Sequence, residues 1–271
     1  MNSRMALGVD IGGTGIKLAV VNAETGTLVT ARRRIDTPQP ATPKSVTSAL
    51  RALASREPEV PQSGPVGIGF PGVIRDGIAR TAANLGKAWV GQDVRALGEA
   101  VAGRAASVVK DADAAGLAEV RFGAGRGEQG LVAIITLGTG IGSALVYAGH
   151  LLPNSELGHI EIRGKDAEQR AAASVRKQKG LSWKSWARRV EEYLAALDRL
   201  VSPDLVIIGG GISSKAGRFL PLIDVRPRVV PAVLGNDAGV IGAALWAHDA
   251  VAEGAAEGPR LERRARGERH R

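Results

Sequence analysis

Short apolar runs punctuated by Gly, Asp or Asn recur along the chain: Ala6–Val9, Leu18–Val21, Val66–Phe70, Ser107–Val109, Leu131–Leu137, Ala144–Tyr147 and Leu205–Ile208. Runs of this length with such boundaries predict strands. Between them the apolar spacing changes to three and four. Val46, Leu50 and Leu53 share one face of a segment from Pro43 to about Ser55, and the stretch from Asp113 to Phe122 is rich in Ala, Leu and Glu. The longest helical pattern takes Ser182 as its N-cap and repeats Trp183, Trp186, Val190, Tyr193, Leu194, Leu197 and Leu200. Pro203 stops it. A last helix is predicted over Asn236–Ala247. Strands alternating with helices, with extra hairpins, predict an α/β class.

One plan occurs twice. "LGVDIGGTGIKLAVV" and "ITLGTGIGSALVY" both read as strand, Gly-Thr-Gly turn, strand, about 125 residues apart. Two related halves are therefore expected, with a boundary near Lys110–Ala115. That gives an N-terminal α/β domain over residues 1–112 and a C-terminal one over 113–248, the final helix packing back on the first.

Composition narrows the class. The chain has 271 residues, 44% apolar and 23% charged, as in soluble globular proteins. It has no run near 18 apolar residues, so no membrane span is expected, and the start is too short before Asp10 for a signal peptide. Cys is absent, which excludes disulfides and thiolate metal sites and fits the cytoplasm. The net charge of +9 is uneven. "RLERRARGERHR" at the end carries six Arg and two Glu, and residues 249–271 are expected to form a disordered basic tail rather than a nucleic-acid site. "RAAASVRKQKGLSWKSWARR", from Arg170 to Arg189, holds seven cations and no acid, which calls for an anionic partner or a large solvated face.

The glycine turns carry candidate chemistry. Glycines allow close backbone approach and positive φ, so successive N–H groups can converge on an anion. In "DIGGTGIK", Gly12, Gly13 and the Thr14 hydroxyl would cradle phosphate beside the Lys17 cation. Asp10 there is suited to hold Mg²⁺ through water. The stretch is neither a P-loop nor a dinucleotide fingerprint. "LGTGIG" offers a second set in Gly138, Thr139 and Gly140. "LVIIGGGIS" is a buried strand ending in Gly209, Gly210 and Gly211, where α/β sheets bind ligands.

In order, "DIGGTGIK", "GIGFPGVI", "AANLGKAW", "DADAAGLAE", "LGTGIG", "ELGH" and "IIGGGIS" resemble the signatures of the ROK sugar kinases, within the actin-like ATPase and sugar-kinase superfamily. The resemblance spans about Leu7 to Ala247. Within the family the chain looks most like the actinobacterial polyphosphate glucokinases and glucomannokinases, through "GTGIGSAL", "NSELGHIEI" and the "RAAASVR…LSWKSWA" segment. The resemblance implies a two-domain, ribonuclease H-like fold with sugar and donor meeting in the interdomain cleft. It implies transfer of a terminal phosphoryl group to the 6-hydroxyl of a hexose, glucose or mannose, with Mg²⁺ and either polyphosphate or ATP. By resemblance Asp111 is the general base, although a helix N-cap is its alternative reading. Asn84, Glu156 and His159 match sugar-binding positions. Glu168 is a looser match for which Glu161 competes.

In many relatives the residue matching His159 also touches zinc, with Cys as the other ligands; this Cys-free chain leads us to assign it to sugar and to expect no zinc. A homodimer is expected from the resemblance, with no nucleic acid or membrane partner. Arg176, Lys177, Lys179, Lys184, Arg188 and Arg189 are candidates for a groove that binds polyphosphate, against a plain solvated helix face. Trp183 and Trp186 read as core.

Lys110 stands where the family usually has a sugar-holding Asn, and Gly86 where close relatives tend to have Asp. An ammonium facing Asp111 would lower its pKa and weaken the base; it could instead contact a donor phosphate. The alternatives are a strictly ATP-dependent hexokinase, a sugar binder impaired by Lys110, and an actin-like filament protein, against which "FPGVI" and "ELGH" argue. A repressor would need a helix-turn-helix that the six residues before Leu7 cannot supply.

Overall fold

The first glycine turn folds the apolar runs beside it into a hairpin. In the computed structural model, which describes residues 4–56, 64–83 and 85–256, β1 (Met5–Ile11) and β2 (Ile16–Asn22) pair antiparallel with Asp10 opposite Lys17. The short β3 (Thr27–Leu28) and β4 (Arg33–Ile35) both pair with β2. Helix α1 (Pro43–Ala54) starts at a capping box between Thr42 and Ser45 and buries Val46, Leu50 and Leu53. Strand β5 (Val66–Phe70) adds parallel to β1. After a small hairpin of β6 (Ile74–Arg75) and β7 (Ile78–Ala79), α2 (Ala96–Ala102) leads to β8 (Ser107–Lys110), parallel to β5. The order is β3-β2-β1-β5-β8.

Helix α3 (Asp111–Phe122) leads to the second hairpin, β9 (Leu131–Leu137) with β10 (Ile141–Tyr147), in which Leu137 faces Ile141. Strand β11 (His150–Leu152) follows, and β12 (Glu161–Ile162) pairs with β13 (Lys165–Asp166) apart from the main sheet. Three helices come next: α4 (Glu168–Ala171), α5 (Ala173–Gln178) and α6 (Trp183–Val201). Strands β14 (Leu205–Gly209) and β15 (Arg228–Pro231) complete the sheet in parallel, and α7 (Ala238–Ala256) ends the described chain. The order β11-β10-β9-β14-β15 repeats that of the first sheet, two antiparallel pairings followed by two parallel ones.

Each half sends the helix after its last strand into the space between the sheets. Helix α7 packs on β1 and β5 of the first sheet, α3 packs on β9 and β10 of the second, and the two helices pack on each other. Glycines set how close they come. A Cβ on Gly8 would lie 1.9 Å from the Val240 carbonyl oxygen, and one on Gly67 1.7 Å from that of Ala243. A Cβ on Gly242 would lie 1.7 Å from the carbonyl oxygen of Ala114 in α3. Buried Glu119 then pins α3 to the segment before α7: its carboxylate accepts N–H bonds from Ala124 at 2.9 Å, Leu234 at 2.8 Å and Val233 at 3.3 Å.

Helix α6 follows its apolar period from the Ser182 cap, whose hydroxyl accepts from the Ser185 N–H, and buries Trp186, Val190, Tyr193, Leu194 and Leu197. Leu200 departs from that pattern and is 64% exposed, in the last turn before the left-handed Ser202 that ends the helix. The final helix also differs from expectation. It runs to Ala256 rather than Ala247, so the expected tail from 249 begins as helix, as its alanines favour. Residues 257–271 of that tail lie outside the described residues. Among the described residues no helix is long and apolar enough to cross a membrane.

Gly242 gives this packing a sign to check. Ala is the better helix former by about 1 kcal/mol, yet Gly242→Ala would drive a methyl into α3. The variant is expected to lose about 1–3 kcal/mol in a urea titration; a stabilised variant would contradict the close crossing.

Candidate active site

A cleft of about 640 Å³ opens where the start of α3 faces the second glycine turn. Asp111, Glu156, His159, Glu168, Gly138, Thr139, Gly140 and Gly210 all line it, although they are spread over a hundred residues of sequence. Pro71, Gly72, Thr81, Ala82 and Ala83 line it as well. Asn84 follows directly in sequence but lies outside the described residues.

Asp111 is the first residue of α3, after Lys110 as N-cap. Its Oδ1 accepts from the Ala112 N–H at 2.7 Å. The surrounding chain strips water from the carboxyl and pushes its pKa up to about 7, with the Asp10 carboxylate adding to the rise. The Ala112 N–H and Lys110 act in the opposite direction and are outweighed. Lys110 thus pulls this pKa down, in the expected direction, but burial and Asp10 outweigh it, and its ammonium finds its partners elsewhere than on Asp111. Its ammonium, on a side chain 3% exposed, donates to the Ser155 carbonyl and lies 3.4 Å from Glu156 Oε1 and 3.8 Å from Asp113 Oδ1. Asp113 is itself buried, and this raises its pKa to about 6 although Lys110 and the Asn154 N–H pull it down.

The loop from β11 to α4 supplies the remaining cleft acids. His159 Nδ1 pairs with Asp166 at 3.0 Å, which holds the imidazole pKa above its usual value, and His159 Nε2 lies 3.8 Å from Glu156. Glu168 Oε2 accepts from the Ile141 N–H at 3.3 Å and abuts Gly140, where a Cβ would come within 2.4 Å of it. Glu161, its competitor from sequence, is exposed on β12 and does not line the cleft. Ligand atoms of His159, Asp166 and Glu168 lie within 4.8 Å of one another.

The first glycine turn stands beside this cleft rather than in its lining. Lys17 Nζ bonds Asp10 Oδ2 at 2.7 Å, so the two residues form an ion pair across β1 and β2. The turn is braced from β4 and beyond: Thr37 Oγ1 donates to the Gly12 carbonyl at 2.5 Å and Arg34 to the Thr14 carbonyl at 3.0 Å. Gly13 and Thr14 stay solvent-accessible. Arg34 escaped the sequence reading because β4 is too short to show a period. At the other glycine run, Gly210 has φ 80° and its Cβ would crowd the Leu137 carbonyl at 2.7 Å, so the bend between Gly209 and Gly211 requires glycine.

The basic segment starts at the second turn and leads away from it. Ser174 at the start of α5 donates its N–H to the Gly138 carbonyl at 3.0 Å and its hydroxyl to that of Thr139 at 2.6 Å. Arg176 stacks on Trp183 at 3.7 Å from the ring centroid, and Arg218 approaches the same ring at 5.7 Å. Lys177, Lys179, Lys184 and Arg188 are exposed; Arg189 reaches the Arg170 carbonyl at 3.4 Å. None of these six cations lines the cleft. Arg218 was missed in the sequence, since only the fold brings it beside Trp183; the exposed Lys215 lies three residues before it on the same helical segment. Trp186 is fully buried, whereas Trp183 is partly exposed between Arg176 and Phe219.

A family model for the ROK family matches residues 6–174. The polyphosphate glucokinase of Mycobacterium tuberculosis (strain ATCC 25618 / H37Rv) is 45% identical over 243 residues, covering 89% of this chain and 91% of the relative. The crystal structure of the inorganic polyphosphate/ATP-glucomannokinase from Arthrobacter sp. strain KM superposes with a TM-score of 0.85 at 49% identity, covering 89% of this chain and 97% of that one. A ROK family glucokinase from Streptomyces griseus, solved with glucose and AMPPNP, gives a TM-score of 0.78 at 26% identity, covering 90% and 99%. A repeated sheet plan with its cleft between the halves, matched over nearly the full length of these kinases, leads to one conclusion: the chain belongs to the ROK family and has the two-domain actin-like fold of its sugar kinases.

Proposed function

We propose that this protein is a cytoplasmic hexokinase that transfers the terminal phosphoryl group of inorganic polyphosphate, and of ATP, to the 6-hydroxyl of glucose, with mannose as a second acceptor. The observation that carries it is the cleft: a carboxyl with a pKa near 7 faces three further polar side chains and a glycine turn. The identity to polyphosphate glucokinases supports the same reading. Residues 1–112 and 113–248 are then two lobes that meet around acceptor and donor, in a homodimer.

Phosphoryl transfer asks little covalent chemistry of a protein; alignment and neutralisation of charge dominate. Asp111 takes the proton from the attacking hydroxyl. Glu156, His159 and Glu168, with Asn84, hold the pyranose hydroxyls, which both donate and accept hydrogen bonds. The N–H groups of Gly13 and Thr14 in the first turn and of Thr139 and Gly140 in the second would face the donor. Those of Gly12 and Gly138 close the turns on the Gly15 and Gly140 carbonyls. The N-terminus of α3 adds its positive end to the cleft. Asp10 fits Mg²⁺: it is a hard oxygen donor close enough to Asp111 to raise that pKa, and a divalent cation beside it would relieve the repulsion. Mg²⁺ would neutralise donor phosphate charge; Lys17, paired with Asp10, keeps that carboxylate oriented.

A polyphosphate chain leaving the second turn would meet Ser174, Arg176 and the cations beyond, with Arg218 also near Trp183. A strictly ATP-dependent reaction is the second reading, favoured by the glycine bend at 209–211 and the AMPPNP in the Streptomyces griseus structure. The two separate in an assay of hexose 6-phosphate formation. Turnover with polyphosphate should fall steeply between about 50 and 200 mM salt, as for other polyanions bound by several cations. Turnover with ATP alone would remove the groove.

Asp111→Asn should lower kcat by about 10²–10⁴-fold, with the acid limb of the wild-type kcat/KM profile near pH 7. The same change should stabilise the protein. Because the folded carboxyl binds its proton more tightly than the ordinary value of about 3.9, wild-type stability is lost as pH rises from about 4 to about 7. The Asn variant should therefore melt higher than wild type above pH 7, with the gap closing toward pH 4. Equal melting temperatures across that range would contradict the raised pKa.

A further inference from the structure

Lys110 stands in the wall between two cavities. It lines the active-site cleft on one side and, on the other, a cavity of about 370 Å³ behind β8 that also touches Asp113, Asn154 and Trp246. A lysine 3% exposed must find partners for its ammonium or lose its charge. Here the partners come from two separate elements. The Ser155 carbonyl and Glu156 Oε1 belong to the loop after β11, whereas Asp113 Oδ1 belongs to α3 and has no hydrogen-bond partner among the described residues. The same loop is tied to α3 by a second bond, from the Asn154 N–H to Asp113 Oδ2 at 2.7 Å.

We propose that Lys110 is a positioning residue for the acceptor sugar: its buried ammonium holds the Glu156 carboxylate and its loop at a fixed distance from the start of α3. The inference rests on the reading of Glu156 as a sugar ligand and Asp111 as the base. With one carboxylate oxygen, Oε1, facing the ammonium, Oε2 is left toward His159 and the cleft, 3.8 Å from its Nε2. An Asn at this position could offer the sugar an amide directly. Lys110 is donor-only and committed to protein acceptors, so it acts through Glu156 instead of touching the sugar. Glucose binding then depends on a charge that the glucose does not meet, and donor binding does not depend on it.

The test uses the full-length chain with Lys110→Met, Lys110→Arg, Glu156→Gln and the Lys110→Met/Glu156→Gln pair, each checked for folding by circular dichroism. Lys110→Met should raise the glucose KM about tenfold or more while leaving the polyphosphate KM unchanged and kcat within about threefold. Lys110→Arg, which keeps the charge, should recover most of the glucose KM. In the double variant the second change should add far less than it does alone, since both break one link. A merely structural role would lower the melting temperature and kcat together without singling out glucose. Unchanged glucose KM in Lys110→Met, or full additivity with Glu156→Gln, overturns the proposal. Should Lys110→Met fail to fold, Lys110→Gln makes the same uncharged comparison. If the wild type phosphorylates no hexose, the kinase reading fails separately, and glucose affinity by calorimetry across the same variants decides the role of Lys110.

Discussion

The close crossing of α7 with α3 and with the first sheet is the constraint on which the rest depends. At Gly8, Gly67 and Gly242 backbone meets backbone, with no space for even a methyl group. Interiors are packed tightly enough that such contacts leave few alternative arrangements. Both helices therefore have fixed axes relative to both sheets, and the first turns of both point toward the cleft region. Asp111 opens α3; at the start of α7, a Cβ on Gly239 would lie 2.8 Å from the Asp10 carboxyl carbon. One packing arrangement thus brings carboxylates from opposite ends of the N-terminal half near each other. Glu119, bonded to three N–H groups around residues 124 and 233–234, keeps the approach to α7 from shifting.

That geometry has an electrostatic consequence. Removing water from Asp111 beside another carboxylate destabilises its charged form and raises its pKa toward the working range of a general base. Apolar clusters in both halves, one around β1, β5 and α1 and one around β9, β14 and α6, offset that cost. The buried Lys110 lies among Asp113, Glu156 and, more distantly, Asp111, and lowers the charge density that three acids would otherwise create.

Much of this was legible in the sequence where local physics governs. Both glycine hairpins, the cap and period of α6, and the burial of Trp186 follow from spacing and turn chemistry. The duplication is visible because each hairpin heads an identical run of strand pairings. What escaped depends on contacts distant in sequence. Strand β4, three residues long, shows no period, so Arg34 beside the first turn went unread. Arg218 joins the basic segment only because the chain after Gly210 carries it toward Trp183. The direction of Lys110 could not be read either. Its ammonium follows acceptors on a loop forty-five residues away, at Ser155, and turns from the neighbouring Asp111.

A crystal structure with glucose bound would test the cleft as the meeting point of acceptor and base most directly. The 6-hydroxyl should lie within about 2.6–3.2 Å of the Asp111 carboxylate, with ring hydroxyls on Glu156 and Glu168. Glucose bound outside the cleft, or inside it with the 6-hydroxyl turned away from Asp111, would contradict that assignment.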